Sequence, residues 1–242
     1  MKRCLYFLGV FSLGCLFCCS YEGGYEAYMQ RLKAYDIEGE EYRNVPQFSR
    51  LLVSGQCNVV IDPEIDAELK IAGPKIAIDE LSTEVINGAL VVKHDPYIEG
   101  DNLFTITVRN DSLKEVWKGG IGTGYFEGNF KTEDSLKLFI GGASVILSNA
   151  KYLDAHVWPS SANSFAGSCD KLVLNTGTDE GEVNASGMKA RTAEVHFKGK
   201  GGVLVSVEDY LEAHVKGSGY IKYVGDPKVS KTVWGTGDVI SY

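Results

Sequence analysis

The chain has 242 residues, of which 44% are hydrophobic and 23% charged, with 28 Gly, 13 Tyr and only 6 Pro. Such a composition leans towards strands and turns around one sizeable core and excludes disorder over most of the length. The formal net charge is -8 and no Lys/Arg cluster marks a periodic face, so a phosphate backbone is repelled and nucleic acid is excluded as a partner.

Residues 1–19 read as an export signal, with Lys2 and Arg3 ahead of an apolar run from about Leu5 to Phe17 and then Cys18-Cys19-Ser20. The run is too short to span a bilayer with comfort, which separates a signal peptide from a membrane helix. Its end resembles a bacterial lipobox, Leu16-Phe17-Cys18-Cys19. That resemblance implies a lipid on Cys19, a membrane anchor, and a cell-envelope lipoprotein of the outer membrane, periplasmic or surface-exposed. Gly14-Cys15 is the rival site, with the better small residue but Ser12 where Leu is expected. An ordinary cleaved signal is the third reading. Cys4, Cys15, Cys18 and Cys19 all fall here, which leaves Cys57 and Cys169 at distant strand-like positions as expected buried free thiols.

Residues 20–44 are Tyr-rich and acidic, and Tyr25, Tyr28, Leu32 and Tyr35 recur at helical spacing. One short helix, a tether away from the membrane, or a cap over the first coil is expected. From 45 to 110 the chain reads as strands with longer connections: Phe48 to Val53, Val59 to Ile61, Ala67 to Ala72, Val85 with Ile86, Leu90 to Lys93, and Leu103 to Arg109. Pro63, Gly73-Pro74, Asn87-Gly88 and Asp95-Pro96 supply the turns, and a helical turn is expected near Ile78 to Leu81.

From about residue 112 one unit recurs roughly every 19 residues, the signature of a repeat architecture. Its clearest copies are Ala193-Glu194-Val195-His196-Phe197-Lys198-Gly199-Lys200-Gly201 and Leu211-Glu212-Ala213-His214-Val215-Lys216-Gly217-Ser218-Gly219. Units start near Leu113, Leu136, Leu153, Leu172, Thr192, Leu211 and Ser230. So short a period leaves no room for a crossover helix, and each unit must return to its start by coiling. The predicted fold over 45–242 is therefore all-β: a single-stranded parallel β-helix, or β-solenoid, whose coils stack about 4.8 Å apart and bury their apolar sides only against one another. Glycines 141, 142, 199, 201, 202, 217, 219, 235 and 237 suit corners of positive φ. The last coil leaves an edge that the tail, a charge or a partner must shield.

Phe48-Ser49-Arg50-Leu51-Leu52-Val53-Ser54-Gly55, the Asn87-Gly88-Ala89-Leu90-Val91-Val92 strand, Gly217-Ser218-Gly219, and Gly225-Asp226-Pro227 leading to Val233-Trp234-Gly235-Thr236-Gly237-Asp238-Val239-Ile240 resemble the head GIN domain. This is the autotransporter adhesin head domain of exported bacterial proteins, common in Bacteroidetes and often lipoproteins. The resemblance covers about 45–242 and implies a right-handed β-helix with an adhesin-like label that fixes no ligand.

Stacking the units lines up outward residues: His196 and His214 are adjacent, with His156 in the same column and Asn175 between. The column reads as a solvated polar ladder with charges paired diagonally. A transition-metal site of imidazoles is the sharper alternative. Asp179, Glu180 and Glu182 form the densest acidic cluster, but lack the repeated nonapeptide of calcium-binding rolls and read as a solvated corner. No catalytic motif is found, and no catalytic residue, metal or cofactor is assigned. Trp117, Trp158 and Trp234 near strand ends, and Tyr125, Tyr220 and Tyr223 near corners, are weighed as sugar platforms against packing residues. Asp111-Ser112-Leu113 and Asp134-Ser135-Leu136 match an O-glycosylation triplet of exported Bacteroidetes proteins, and their modification is left open. The expected function is that of a non-enzymatic envelope lipoprotein with an adhesin-like interaction domain, contacting the membrane through its anchor and a glycan or extracellular protein through its surface. A polysaccharide lyase or hydrolase on the same scaffold is the alternative.

Overall fold

The computed structural model describes residues 37–55, 57–93, 104–109, 112–119, 125–131, 134–158, 163–176 and 181–242. The signal, its cysteines, the Tyr25–Tyr35 spacing, Asp179 and Glu180 lie outside these. The N-terminal part supplies β1 (Glu38–Arg43), β2 (Arg50–Ser54), β3 (Asn58–Ile61), β4 (Leu69–Pro74), α1 (Lys75–Asp79), β5 (Ser82–Ile86), β6 (Ala89–Lys93) and β7 (Thr105–Val108). Then come β8 (Glu115–Gly119), β9 (Phe126–Phe130), β10 (Ser135–Gly141), β11 (Ala143–Trp158), β12 (Asn163–Thr176) and β13 (Glu182–Gly199). The chain closes with β14 (Gly202–Gly217), β15 (Tyr220–Val224), β16 (Lys228–Gly235) and β17 (Asp238–Ser241).

The strands wind into a β-solenoid whose coils recur about every 19 residues. One wall runs β6-β2-β8-β10-β11-β12-β13-β14-β16, every neighbour parallel. The other runs β7-β3-β9-β11-β12-β13-β14-β15-β17, again parallel. The long strands β11 to β14 serve both walls, turning from one to the other where the register shifts, as between Leu147 and Ala150. Alternation of the sequence puts Leu138, Ala155, Leu174, Val195 and Ala213 in one inward column, all fully buried. Leu, Val and Ala are mixed along it, so successive layers fill the space between the walls. The expected unit starts Leu136, Leu153, Leu172 and Leu211 share a neighbouring column, joined by Ala193 and Val229 in place of Thr192 and Ser230. Coil lengths vary slightly, so a fixed period drifts by one residue.

The corners explain the Gly-x-Gly units. Gly199, Gly217 and Gly235 have φ of 144°, 128° and 129°, and they stack on one another in register. A Cβ at Gly217 would lie 2.4 Å from the Gly199 carbonyl oxygen. The second glycines do not take positive φ, contrary to expectation. Gly219 and Gly237 are required by close approach, since a Cβ would fall 2.3 Å from the Gly201 oxygen and 2.2 Å from the Gly219 oxygen.

The N-terminal end is closed by an antiparallel cap that the repeat does not predict. β5 pairs with β6, β4 with β7, and β1 with β4, all antiparallel. Between β4 and β5, α1 buries Ala77 and Ile78 and is followed by buried Leu81, plugging the core. Arg43 of β1 fastens this plug: its guanidinium donates to Ile78 O (3.1 Å), Leu81 O (2.8 Å) and Thr83 Oγ1 (3.0 Å), satisfying carbonyls at and just beyond the helix end. Residues 38–43, expected as part of a helix, a tether or a cap, are an edge strand of this cap. The expected turn at Asn87-Gly88 is present, with φ of 50° and 74° joining β5 to β6. Among the described residues no helix is long and apolar enough to cross a membrane.

The opposite end is closed by a charge. Lys231 of β16 pairs with Ala213 and so occupies the next inward position of the column described above. Its ammonium crosses the mouth of the core to Asp238 Oδ1 of β17, 3.0 Å away. An inward-pointing charge on the last coil discourages another strand from docking there.

Candidate functional site

The outer surface of the first wall carries three parallel columns of side chains. The middle column is Leu52, Trp117, Phe139, His156, Asn175, His196, His214 and Thr232 in register. Its rings stack face to face: Trp117 on Phe139 at 3.9 Å, Phe139 on His156 at 4.6 Å, and His196 on His214 at 4.6 Å with an interplanar angle of 4°. Asn175 divides the two stacks. Coil spacing of about 4.8 Å is close to the separation of stacked planar groups, so the rings lie parallel.

The second column holds acids two residues earlier in the same strands. Trp117 Nε1 donates to Glu115 Oε1 (2.7 Å), His196 Nε2 to Glu194 Oε1 (2.9 Å), and His214 Nε2 to Glu212 Oε1 (3.1 Å). His156 Nε2 lies 3.1 Å from Asp154 Oδ1, close but off the line of a hydrogen bond. Lys137 reaches Asp154 across adjacent coils at 3.6 Å, and Lys171 reaches Glu194 diagonally at 3.5 Å. The hydrogen bond from His196, aided by Lys171, holds the Glu194 carboxyl below its ordinary range. Each of the three glutamates therefore orients the ring two residues on within its strand, and the Lys171–Glu194 pair adds a diagonal pairing of the kind expected. Two residues beyond the rings stand Trp158, opposite Gly141, and the register-matched run Lys198, Lys216 and Trp234. Trp158 is 47% and Trp234 58% exposed.

The structure thus brings His156, His196 and His214 into one column, with the ring edges of His196 and His214 hydrogen-bonded to their own acids and His156 only close to Asp154. Among the described residues no group of three or more His, Cys, Asp or Glu side chains is arranged to hold a metal ion. Cys57 and Cys169 are buried free thiols, pushed up by burial to about 11 and about 12. Glu182 accepts a hydrogen bond from the Tyr220 hydroxyl, which raises that phenol. Tyr223 packs against the core, whereas Tyr125 is exposed. Arg191 stands on a corner at 3.6 Å from Asp170 and 4.0 Å from Asp209, with all three side chains more than half exposed. Sequence reasoning missed that Trp117 and Phe139 extend the histidine column. The shared i, i-2 acid at Glu115-Val116-Trp117 and Glu194-Val195-His196 was the signal available.

The fold and this ladder define an all-β solenoid with a helix-plugged cap and a flat, outward-facing wall. The chain belongs to the family described as "Putative auto-transporter adhesin, head GIN domain", which matches residues 47–227. Among solved structures it is similar to a "putative adhesin" from Bacteroides fragilis, with 19% identity and a TM-score of 0.72, covering 85% of this chain and 97% of that one. A "putative lipid binding protein" from Parabacteroides distasonis is similar at 22% identity and TM-score 0.60, covering 85% and 96%. A "putative adhesin" from Parabacteroides merdae is similar at 18% identity and TM-score 0.58, with the same coverages. At these identities the likeness shows the fold. No curated protein matches the chain.

Proposed function

We propose that the chain is an exported, lipid-anchored protein of the bacterial cell envelope that works by binding, without catalysis, as an adhesin-like module for a glycan or an extracellular protein. The observation that carries this reading is the use made of the acids on the outer wall. Glu115, Glu194 and Glu212 each accept a hydrogen bond from the ring two residues on. A glycoside hydrolase needs two carboxyl groups flanking one bond, one of them free to give a proton. Here the carboxylates hold a rigid array of rings, which is preorganisation for recognition. Lys2, Arg3 and the apolar run before Cys19 support export and anchoring.

The test is a binding screen of the purified chain against glycans and extracellular proteins, alongside labelled palmitate incorporation in cells. Saturable binding without turnover supports the reading, and depolymerisation of a bound glycan contradicts it. Loss of label in Cys19→Ala supports the anchor as assigned. Unchanged label in Cys19→Ala with loss in Cys15→Ala moves it to Cys15.

A further inference from the structure

The last coil leaves its part of the core short of cover. Among the described residues β16 pairs only with β14 and β17 only with β15, so alternate N–H and C=O groups of both strands face away from the stack with no strand to receive them. The inward side chains show the same shortfall. Val229 and Val233 lie over Leu211 and Val215. The two residues beneath are fully buried, whereas Val229 and Val233 are only partly so. Lys231 stands between them on the same face, over Ala213.

Lys231 makes this edge selective. Its ammonium carries three donors. It reaches Asp238 Oδ1 at 3.0 Å and Val239 O at 3.5 Å, while 51% of the lysine side chain and 59% of the aspartate side chain stay exposed. An apolar strand laid on β16 would cover that charge without satisfying it. A second copy of the chain meets a different obstacle. Val229 and Val233 are symmetric about Lys231, so the antiparallel register that sets valine against valine also sets Lys231 of one copy against Lys231 of the other, and like charges directly opposite are destabilising. A strand with a carboxylate at the facing position meets neither penalty, because the ammonium can donate to it as well as to Asp238. On the outer side, Trp234 has one ring face towards His214, with centroids 6.2 Å apart, and 58% of the residue is exposed. An added strand would lay an outward side chain over that indole, one coil step of about 4.8 Å further on.

We propose that β16 receives an extended segment of an extracellular protein by strand addition, with Asp or Glu facing Lys231 and apolar side chains facing Val229 and Val233. The site rests on the binding reading above and names its partner class. Ladder hydrogen bonds supply the affinity, and the alternate side chains set the register and the choice of partner. Lys231 then acts in two directions: it turns away apolar strands and further copies of this chain, and it admits an acidic strand. The 8 residues of β16 span about 26 Å at 3.3 Å per residue, which sets the length of the segment. A polysaccharide carries no main-chain ladder of N–H and C=O groups to match this edge.

Fluorescence anisotropy with the full chain and labelled peptides of about nine residues tests this. The centre is Val-Thr-Asp-Thr-Val in one peptide, Val-Thr-Val-Thr-Val in a second and Val-Thr-Lys-Thr-Val in a third. Wild type is expected to bind the aspartate peptide about tenfold more tightly than the valine peptide, by a margin that shrinks as salt rises. Lys231→Glu is expected to reverse the choice, taking the lysine peptide over the aspartate one, and Lys231→Ala to abolish the preference. Trp234→Ala is expected to weaken binding by about threefold. Methylation of the alternate peptide nitrogens that face β16 is expected to remove binding, and methylation of the other set to leave it. Both positions are exposed, and matched thermal midpoints verify that the variants fold. Equal binding of the aspartate and valine peptides overturns the proposal. So does a preference unmoved by both Lys231 substitutions, or binding that survives both methylation patterns. If the screen finds a glycan or protein ligand and no peptide binds, this inference alone fails. If nothing binds in either experiment, the reading beneath it fails too.

Discussion

At Gly217 the backbone is fixed by two demands at once, a φ of 128° and a carbonyl of the preceding coil 2.4 Å from where a Cβ would sit. Gly217→Ala is expected to cost about 2–3 kcal/mol in chemical denaturation, combining backbone strain with forced separation of coils. Gly88 is the control: φ is 74° but nothing lies within 4 Å of a Cβ, so Gly88→Ala should cost only about 1 kcal/mol. Equal losses would contradict the stacking of corners. Glu194 gives a second test. Its carboxyl is held below the ordinary value of 4.5, first by the His196 hydrogen bond. Its contribution to stability is therefore complete above that value and lost as pH falls through the depressed folded-state pKa. Melting curves from about pH 7 to pH 3 should show a drop on the acid side that is smaller in Glu194→Gln. Glycine spacing was legible in the sequence as corners, but the separate reason for each second glycine was not. Close approach depends on the coil below, which local spacing does not reveal.

The two end elements keep a stack of coils from growing or fraying. Ile78, 2% exposed, is the apolar centre of the N-terminal plug. Ile78→Ala should cost about 2–5 kcal/mol by calorimetric or denaturant unfolding. Lys231 takes a core-facing position and spans to Asp238. Lys231→Val would extend the apolar column to the open end, and sedimentation is expected to show more self-association than wild type. No change in association would contradict a guarding role for this charge. The need for an end shield was readable from the repeat, whereas its identity was not. Lys231 sits in Val229-Ser230-Lys231-Thr232-Val233, where alternation reads it as a core position and chemistry reads it as surface. The antiparallel cap was hidden for a related reason. Its strands were recognisable from 67 to 109, but β2–β3 lies between β6–β7 and β8–β9 in space. That order is set by distant pairing, not by local pattern.

Over the whole molecule, each coil touches chiefly the coils beside it, so stability is a sum of neighbour interfaces. Hydrogen exchange should be slowest in β12 to β14, flanked on both sides, and faster in β16 and β17, paired on one side only. The same stacking turns a one-dimensional repeat into the columns on which the binding reading depends. The histidine column was legible because the units carrying His196 and His214 are near copies. Trp117 and Phe139 were not, because their units diverge in everything but the preceding or crossing charge. The stacking itself is tested most directly by paired cysteines on the outer wall, with peptide mapping after mild oxidation. Lys198→Cys/Lys216→Cys places the pair on adjacent coils, about 4.8 Å apart and within the reach of a disulfide. Lys198→Cys/Trp234→Cys places it two coils apart, about 9.6 Å and beyond that reach. A bond in the first variant and none in the second is the predicted result, and equal bonding in both, or a bond only in the second, would contradict the coil register.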